Sequence, residues 1–328
     1  MKNTFGKSKG WNRGTLEYGI HCCITPLFHH SCLLMLSISV LFFSTESFSA
    51  ETVKFKYLQS IYVDDKGGGL KQPEGVACNE RSLLVVADSG NGRLLQFNFQ
   101  DKTLKNGKEI RSSQLLYPIE VQLNSKEEIF ALDGKQRRIV RLTPEGTVKG
   151  YLTFEGVPAP STVVPRSFKV DRNDAIYVLD VFSSRVLILD MEGKYQKQIE
   201  FPGDHGFFSD LAIDPRGALL LLDSVRGRVF SAVKDAKGFV PLSKSLREHS
   251  NFLTYLTTDS RGTIYLVDRN GGGIIFLSQD GSFLGRQLSM GWNDGLLNYP
   301  SQLCLNEKGE AFIADRENSR IQIFAVSR

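Results

Sequence analysis

The sequence predicts a six-bladed β-propeller, and three observations predict it. An Asp closing a short apolar run is followed five positions later by a basic residue opening the next: Asp88 with Arg93, Asp133 with Arg138, Asp180 with Arg185, Asp223 with Arg228 and Asp315 with Arg320. Asp268 begins a sixth copy whose partner position holds Gly273, and successive Asp residues stand 45, 47, 43, 45 and 47 positions apart. A period of that size, with several short β-patterned runs per unit, is the pattern in which one repeat supplies one four-stranded blade. The last repeat stops after its third run, while an unpaired β-like run, residues 53 to 63, precedes the first.

Each element of the repeat follows from its residues. Fifteen positions before the Asp stands Pro73, Pro118, Pro165 or Pro300, with Phe208 and Leu253 in the other two copies. A Pro cannot donate to a ladder, so it belongs just ahead of the first strand. A second strand rich in β-branched and aromatic residues ends in the Asp. The third begins at the basic residue, as in Arg185-Val-Leu-Ile-Leu189. Thr143-Pro-Glu-Gly146, Asp190-Met-Glu-Gly193 and Ser278-Gln-Asp-Gly281 are turns into the fourth strand, with Gly supplying positive φ. Blades are expected at about residues 70 to 115, 116 to 155, 163 to 202, 206 to 243, 250 to 289 and 297 to 328, the last completed by residues 53 to 63, so that the ring closes without a long free edge.

Residues 1 to 50 read differently. Lys2, Lys7, Lys9 and Arg13 precede an apolar stretch of about twelve residues and then a run of small polar residues, the layout of an export signal or, if uncleaved, an N-terminal anchor. The chain is expected to be exported, to the periplasm or the exterior, with membrane contact only through this segment. Of 40 basic and 36 acidic residues, residues 1 to 50 hold four and two, leaving 36 against 34. That balance gives no support for nucleic-acid binding. Cys78 and Cys304 fall in the first strands of blades one and six, neighbours in a closed ring, where they form a disulfide or remain two buried thiols.

Pro73-Glu-Gly-Val-Ala77, Ala87-Asp-Ser-Gly-Asn91 with Arg93, and Phe312-Ile-Ala-Asp315 with Asn318 and Arg320-Ile-Gln-Ile-Phe324 resemble the NHL repeat. The resemblance covers about residues 52 to 328 and implies the propeller rather than a function. Some relatives of this fold are enzymes. The amidating lyases use a zinc held by several His residues, but outside the leader only His205 and His249 remain. The gluconolactonase-like propellers hold calcium at the axis, and Glu120, Asp210 and Gln302 partly echo that set.

An ion pair repeated in every blade marks architecture, so function is sought where copies differ. Thirteen positions before each Asp the copies read Gly75, Glu120, Ser167, Asp210, Tyr255 and Gln302, with Glu74 and Arg166 one position earlier. Around an axial opening these would hold a cation or small polar ligand, or simply line a hydrated channel. In the loops between second and third strands Lys135, Arg137, Arg226, Arg269 and Arg316 suggest a cationic rim opposed only by Glu317, and Phe182, Trp292 and Tyr299 add aromatic surface. The expected function is a monomeric binding or scaffolding module without a cofactor. It would engage an envelope or secreted protein, a glycan or an anionic ligand on the channel-mouth face. The alternative is a metal-dependent lyase or lactonase with calcium at the axis.

Overall fold

The computed structural model describes residues 53–328, and within them all six blades are four-stranded antiparallel sheets. Residues 1 to 50, with Cys22, Cys23 and Cys32, lie outside the described residues. Strand β1 (Lys54–Ile61) precedes blade one, which is β2 (Gly75–Cys78), β3 (Leu83–Asp88), β4 (Arg93–Gln100) and β5 (Thr103–Ile110). Blade two is β6 (Pro118–Leu123), β7 (Ile129–Asp133), β8 (Arg138–Leu142) and β9 (Val148–Tyr151); blade three is β10 (Pro165–Val170), β11 (Ile176–Asp180), β12 (Arg185–Leu189) and β13 (Tyr195–Glu200). Blade four is β14 (Phe208–Ile213), β15 (Leu219–Asp223), β16 (Arg228–Ala232) and a short exposed β17 (Val240–Pro241). Blade five is β18 (Leu253–Thr258), β19 (Ile264–Asp268), β20 (Gly273–Leu277) and β21 (Phe283–Gln287), and blade six is β22 (Pro300–Leu305), β23 (Glu310–Asp315) and β24 (Arg320–Ser327).

β1 supplies the fourth strand of blade six, pairing antiparallel with β24 from Lys54↔Ser327 to Ile61↔Ile321. Pro118, Pro165 and Pro300 are the first residues of their strands rather than lying ahead of them. The first position of a strand tolerates a missing donor. The core is divided among the blade junctions. Phe130, Leu132 and Ile139 of blade two meet Phe168, Val178 and Leu187 of blade three in one cluster, and five comparable clusters fill the other junctions. At the junction of blades six and one, β2 and β22 are also joined by a Cys78–Cys304 disulfide, 226 residues apart in sequence.

Two sequence positions shape the loops. The residue just before each third strand adopts a left-handed conformation in all six blades: Gly92, Arg137, Ser184, Gly227, Gly272 and Ser319, with φ between 49° and 62°. Nine positions before each repeated Asp, an Asn or Asp caps the hairpin between first and second strands. Asp171 accepts from Asn173 N and Ala175 N, and Asn79, Asn124, Asp214, Asp259 and Asn306 do the same work in the other blades. Such Asx turns let a short polar side chain replace a backbone partner.

Candidate functional site

The innermost strand of each blade lines the axis, and a β-bulge near its start sets what it presents there. In blades two to five the pairing of first and second strands skips one residue, namely Ile119, Arg166, Ser209 and Thr254, and in blade six it skips Ser301 and Gln302. A bulge adds one unpaired residue and re-aims the side chains around it. The residues just after it, or in blade six within it, expected from the sequence to rim an open channel, are instead buried: Glu120, Ser167, Asp210, Tyr255 and Gln302 are all at most 6% exposed.

They close on a side chain that the sequence reading did not single out. Lys169 Nζ lies 2.7 Å from Glu120 Oε1, 3.3 Å from Asp210 Oδ1 and 4.3 Å from the centroid of the Tyr255 ring. Ser167 Oγ donates to Asp210 Oδ1 and lies 3.2 Å from Glu120 Oε1. Burial alone would lower the Lys169 pKa, but Asp210 and Glu120 raise it above the ordinary lysine value, so the ammonium is retained. Burial pushes Tyr255 up to about 12 although Lys169 opposes the shift. The sequence does hold one signal for Lys169: at its position in the repeat the other blades carry Ala77, Gln122, Ala212, Thr257 and Cys304, and it is the single ionisable amine among them.

The remaining carboxylate oxygens tie blades together. Glu120 Oε2 accepts from Phe168 N at 3.2 Å, Asp210 Oδ2 from Leu256 N at 2.9 Å, and Gln302 Oε1 from Val76 N at 3.1 Å. Blades two, four and six thus each grip the next blade's innermost strand. Calcium takes six to eight oxygens. Here the space between the two carboxylates is filled by an ammonium and all four of their oxygens already accept hydrogen bonds, so this donor set does not fit a resident divalent cation. The His205 ring packs on Phe201 and Phe208, and His249 stacks on Phe283 at 3.8 Å.

Above the cluster, on the face carrying the loops between second and third strands, the cationic rim is smaller than expected. Arg226 pairs with Asp204 at 2.6 Å, and Arg316 with Glu74 at 3.1 Å and with Glu317. Glu74 also accepts from Tyr117 Oη at 2.9 Å. Lys135, Arg137 and Arg269 form no ion pair with another described residue; the Lys135 ammonium lies over the Tyr117 ring at 5.6 Å. Arg166 joins them: its guanidinium sits 5.8 Å from the Phe207 ring centroid, its Nε is buried without a partner, and burial together with nearby Arg137 and Arg269 lowers its pKa. The same face carries most of the exposed large apolar side chains. Ten of the 13 exposed large hydrophobic residues lie in loops of this face, among them Leu116, Phe182 (60% exposed), Phe207, Val225, Phe252, Tyr299 and, on the loop leading to blade six, Trp292 (80% exposed), which makes it the most apolar exposed face of the described propeller.

The six repeated Asp residues are wholly buried and all accept backbone N–H groups from the loop arriving from the preceding blade, for example Lys71 N on Asp88 at 2.7 Å and Asn298 N on Asp315 at 2.6 Å. The Arg is less uniform. Arg93, Arg185 and Arg320 pair with their Asp at 2.7, 3.1 and 2.7 Å. Arg138 instead stacks on Tyr151 at 3.6 Å and Arg228 Nε has no partner, so the expected pairs with Asp133 and Asp223 do not form. In blade five, where Gly273 replaces the Arg, Arg286 from the fourth strand reaches Asp268 at 3.3 Å. It occupies the space a side chain at position 273 would need, since a Cβ there would lie 2.7 Å from Arg286 Nε.

The opposite face holds a second feature that the sequence did not reveal, a cavity of about 1150 Å³ between the hairpin turns that reaches inward to Gln122, Lys169 and Thr257. Among the described residues no helix is long and apolar enough to cross a membrane.

Comparison with known proteins agrees with this architecture. Residues 297–324, in blade six, match the family model NHL repeat. A 72-residue stretch is 38% identical to the human NHL repeat-containing protein 3, covering 21% of this chain and 21% of that relative, about a fifth of its length. Three solved structures share the fold. An auxiliary nutrient binding protein from Bacteroides thetaiotaomicron is 13% identical with a TM-score of 0.63, over 85% of this chain and 77% of its own. A gluconolactonase from Xanthomonas campestris is 14% identical at 0.61, over 86% and 93%. A catalytically inactive virginiamycin B lyase from Staphylococcus aureus, with quinupristin, is 13% identical at 0.59, over 83% and 99%.

Proposed function

We propose that this six-bladed propeller, whose last blade carries an NHL repeat, is an exported binding module that docks a partner on its channel-mouth face. The observation that carries the reading is the pairing of exposed apolar side chains, Phe182, Phe207, Phe252 and Trp292, with unpaired Lys135, Arg137 and Arg269 on one face. Exposed aromatics give a docking surface its affinity, and unpaired cations steer an acidic partner to it. An axial metal site of lyase or lactonase type is disfavoured by the same structure, because the Lys169 ammonium occupies the space between the carboxylates that would have to bind the metal. The Cys78–Cys304 disulfide supports export, since such bonds persist in oxidising compartments. The layout of residues 1 to 50 points the same way.

The test is capture of a partner from cell-envelope extract by the propeller and by two double variants, Phe182→Ser with Phe252→Ser and Arg137→Glu with Arg269→Glu. Both variants are expected to melt like the parent and to lose the captured protein, the charge variant through a slower association rate. A partner retained equally by both would place docking elsewhere.

A further inference from the structure

Building on the reading of the mouth face as a docking surface, we propose that the mouth seats a carboxylate from an acidic segment of a partner polypeptide, gripped by Arg166 and Thr254, with an adjoining apolar side chain laid against Phe207. Both gripping residues stand at the bulge of their innermost strands, in blades three and five. Among the described residues five buried side-chain polar atoms have no hydrogen-bond partner, and two of them are Arg166 Nε and Thr254 Oγ1. Buried polar groups are almost always satisfied, so two orphans at equivalent positions of one ring point to a group that arrives from outside. Arg166 makes no ion pair or hydrogen bond to another described residue, which leaves its planar donor fork free for a carboxylate.

Charge and shape select among anions. Arg137 and Arg269 add positive potential at the mouth, while Glu120 and Asp210 beneath Arg166 moderate it, so the site suits a single negative charge better than a phosphate dianion. A fatty acid would need an apolar tunnel for its chain, and the axis below is closed by Lys169 between its two carboxylates. The apolar anchors instead lie spread around the rim: Phe182 shares blade three with Arg166, Phe207 stands just before the first strand of blade four and Phe252 just before that of blade five. That spacing suits a polypeptide presenting acidic and apolar side chains in alternation, one anchoring where the other pairs.

Fluorescence anisotropy with a labelled hexapeptide alternating glutamate and phenylalanine tests this. The peptide is expected to bind. Replacing its glutamates by glutamine, or its phenylalanines by alanine, should each weaken binding at least tenfold. In the protein, Arg166→Gln and Thr254→Val should each do likewise at an unchanged melting temperature. If either of these half-buried substitutions impairs folding, the exposed Arg137→Gln and Arg269→Gln are read instead, each expected to weaken binding at least threefold. Propionate, a monocarboxylate, should displace the peptide more effectively than inorganic phosphate. Equal binding of the glutamate and glutamine peptides, phosphate competing as well as propionate, or full binding by the Arg166 and Thr254 variants would overturn the carboxylate site. If a captured envelope partner is then lost by Phe182→Ser with Phe252→Ser but kept by Arg166→Gln, the docking face stands and only the carboxylate seat falls; if both variants keep it, the docking face falls too.

Discussion

At the scale of single residues, the repeated Asp is constant because its work is done on the backbone. A buried carboxylate is tolerated only when donors surround it, and each Asp finds them in the loop from the preceding blade, whichever cation is present. The Arg is therefore replaceable, which is why Arg286 can stand in from another strand. Arg185 is buried among several partners: besides Asp180 it donates to Pro158 O at 3.2 Å, Pro160 O at 2.5 Å and Gln198 Oε1 at 2.9 Å. Arg185→Ala should cost about 2 to 4 kcal/mol, the scale for a buried pair with one partner removed, whereas Arg138→Ala, at an exposed side chain stacked on Tyr151, should leave the urea midpoint almost unmoved. Equal losses would mean that the two arginines do the same job. The spacing made the six Asp legible in the sequence, but the partner of each Arg depends on where fourth-strand residues such as Tyr151, Gln198 and Arg286 fall in register, and no periodicity reports that. Lys169 was hidden for a related reason: its two carboxylates, Glu120 and Asp210, are 49 residues before it and 41 after it, in the two flanking blades.

At the scale of elements, closure was readable because an orphan run at one end matched a missing strand at the other. β1 brings Phe55 and Tyr57 onto Phe324 at ring separations of 5.7 and 6.0 Å, and Phe55 also reaches Phe276 of blade five at 5.8 Å. With Leu58 and Ile61 added, the strand's apolar burial contributes on the order of 5 kcal/mol. Deleting residues 51 to 63 should therefore lower the melting temperature by about 10 °C or more and promote aggregation through the bared edge of β24. A truncated propeller that melts like the parent and stays monodisperse would show that β1 does not complete the ring. The bulges were not readable, since Ile119, Arg166, Ser209 and Thr254 share no side-chain property. The left-handed position was masked in half the blades by Arg137, Ser184 and Ser319 where Gly would have announced it.

For the molecule as a whole, the two faces and the axis divide the labour. The axis is an internal fastening, with blades two, four and six each gripping their neighbour and Lys169 holding two carboxylates together. The mouth face carries the exposed aromatics and the unpaired cations. From sequence, the residue types of the mouth face were legible and the closure of the axis was not, because burial decides whether Glu120 and Asp210 coordinate a ligand or fasten a strand. The most direct measurement is the melting temperature of the propeller in calcium or zinc at millimolar concentration. With the axis closed by Lys169, neither metal should shift melting by more than about 1 °C. A site of micromolar affinity would instead add about 4 kcal/mol by mass action and raise melting by roughly 8 °C or more; a rise of that size, abolished by Glu120→Gln, would contradict the closed axis.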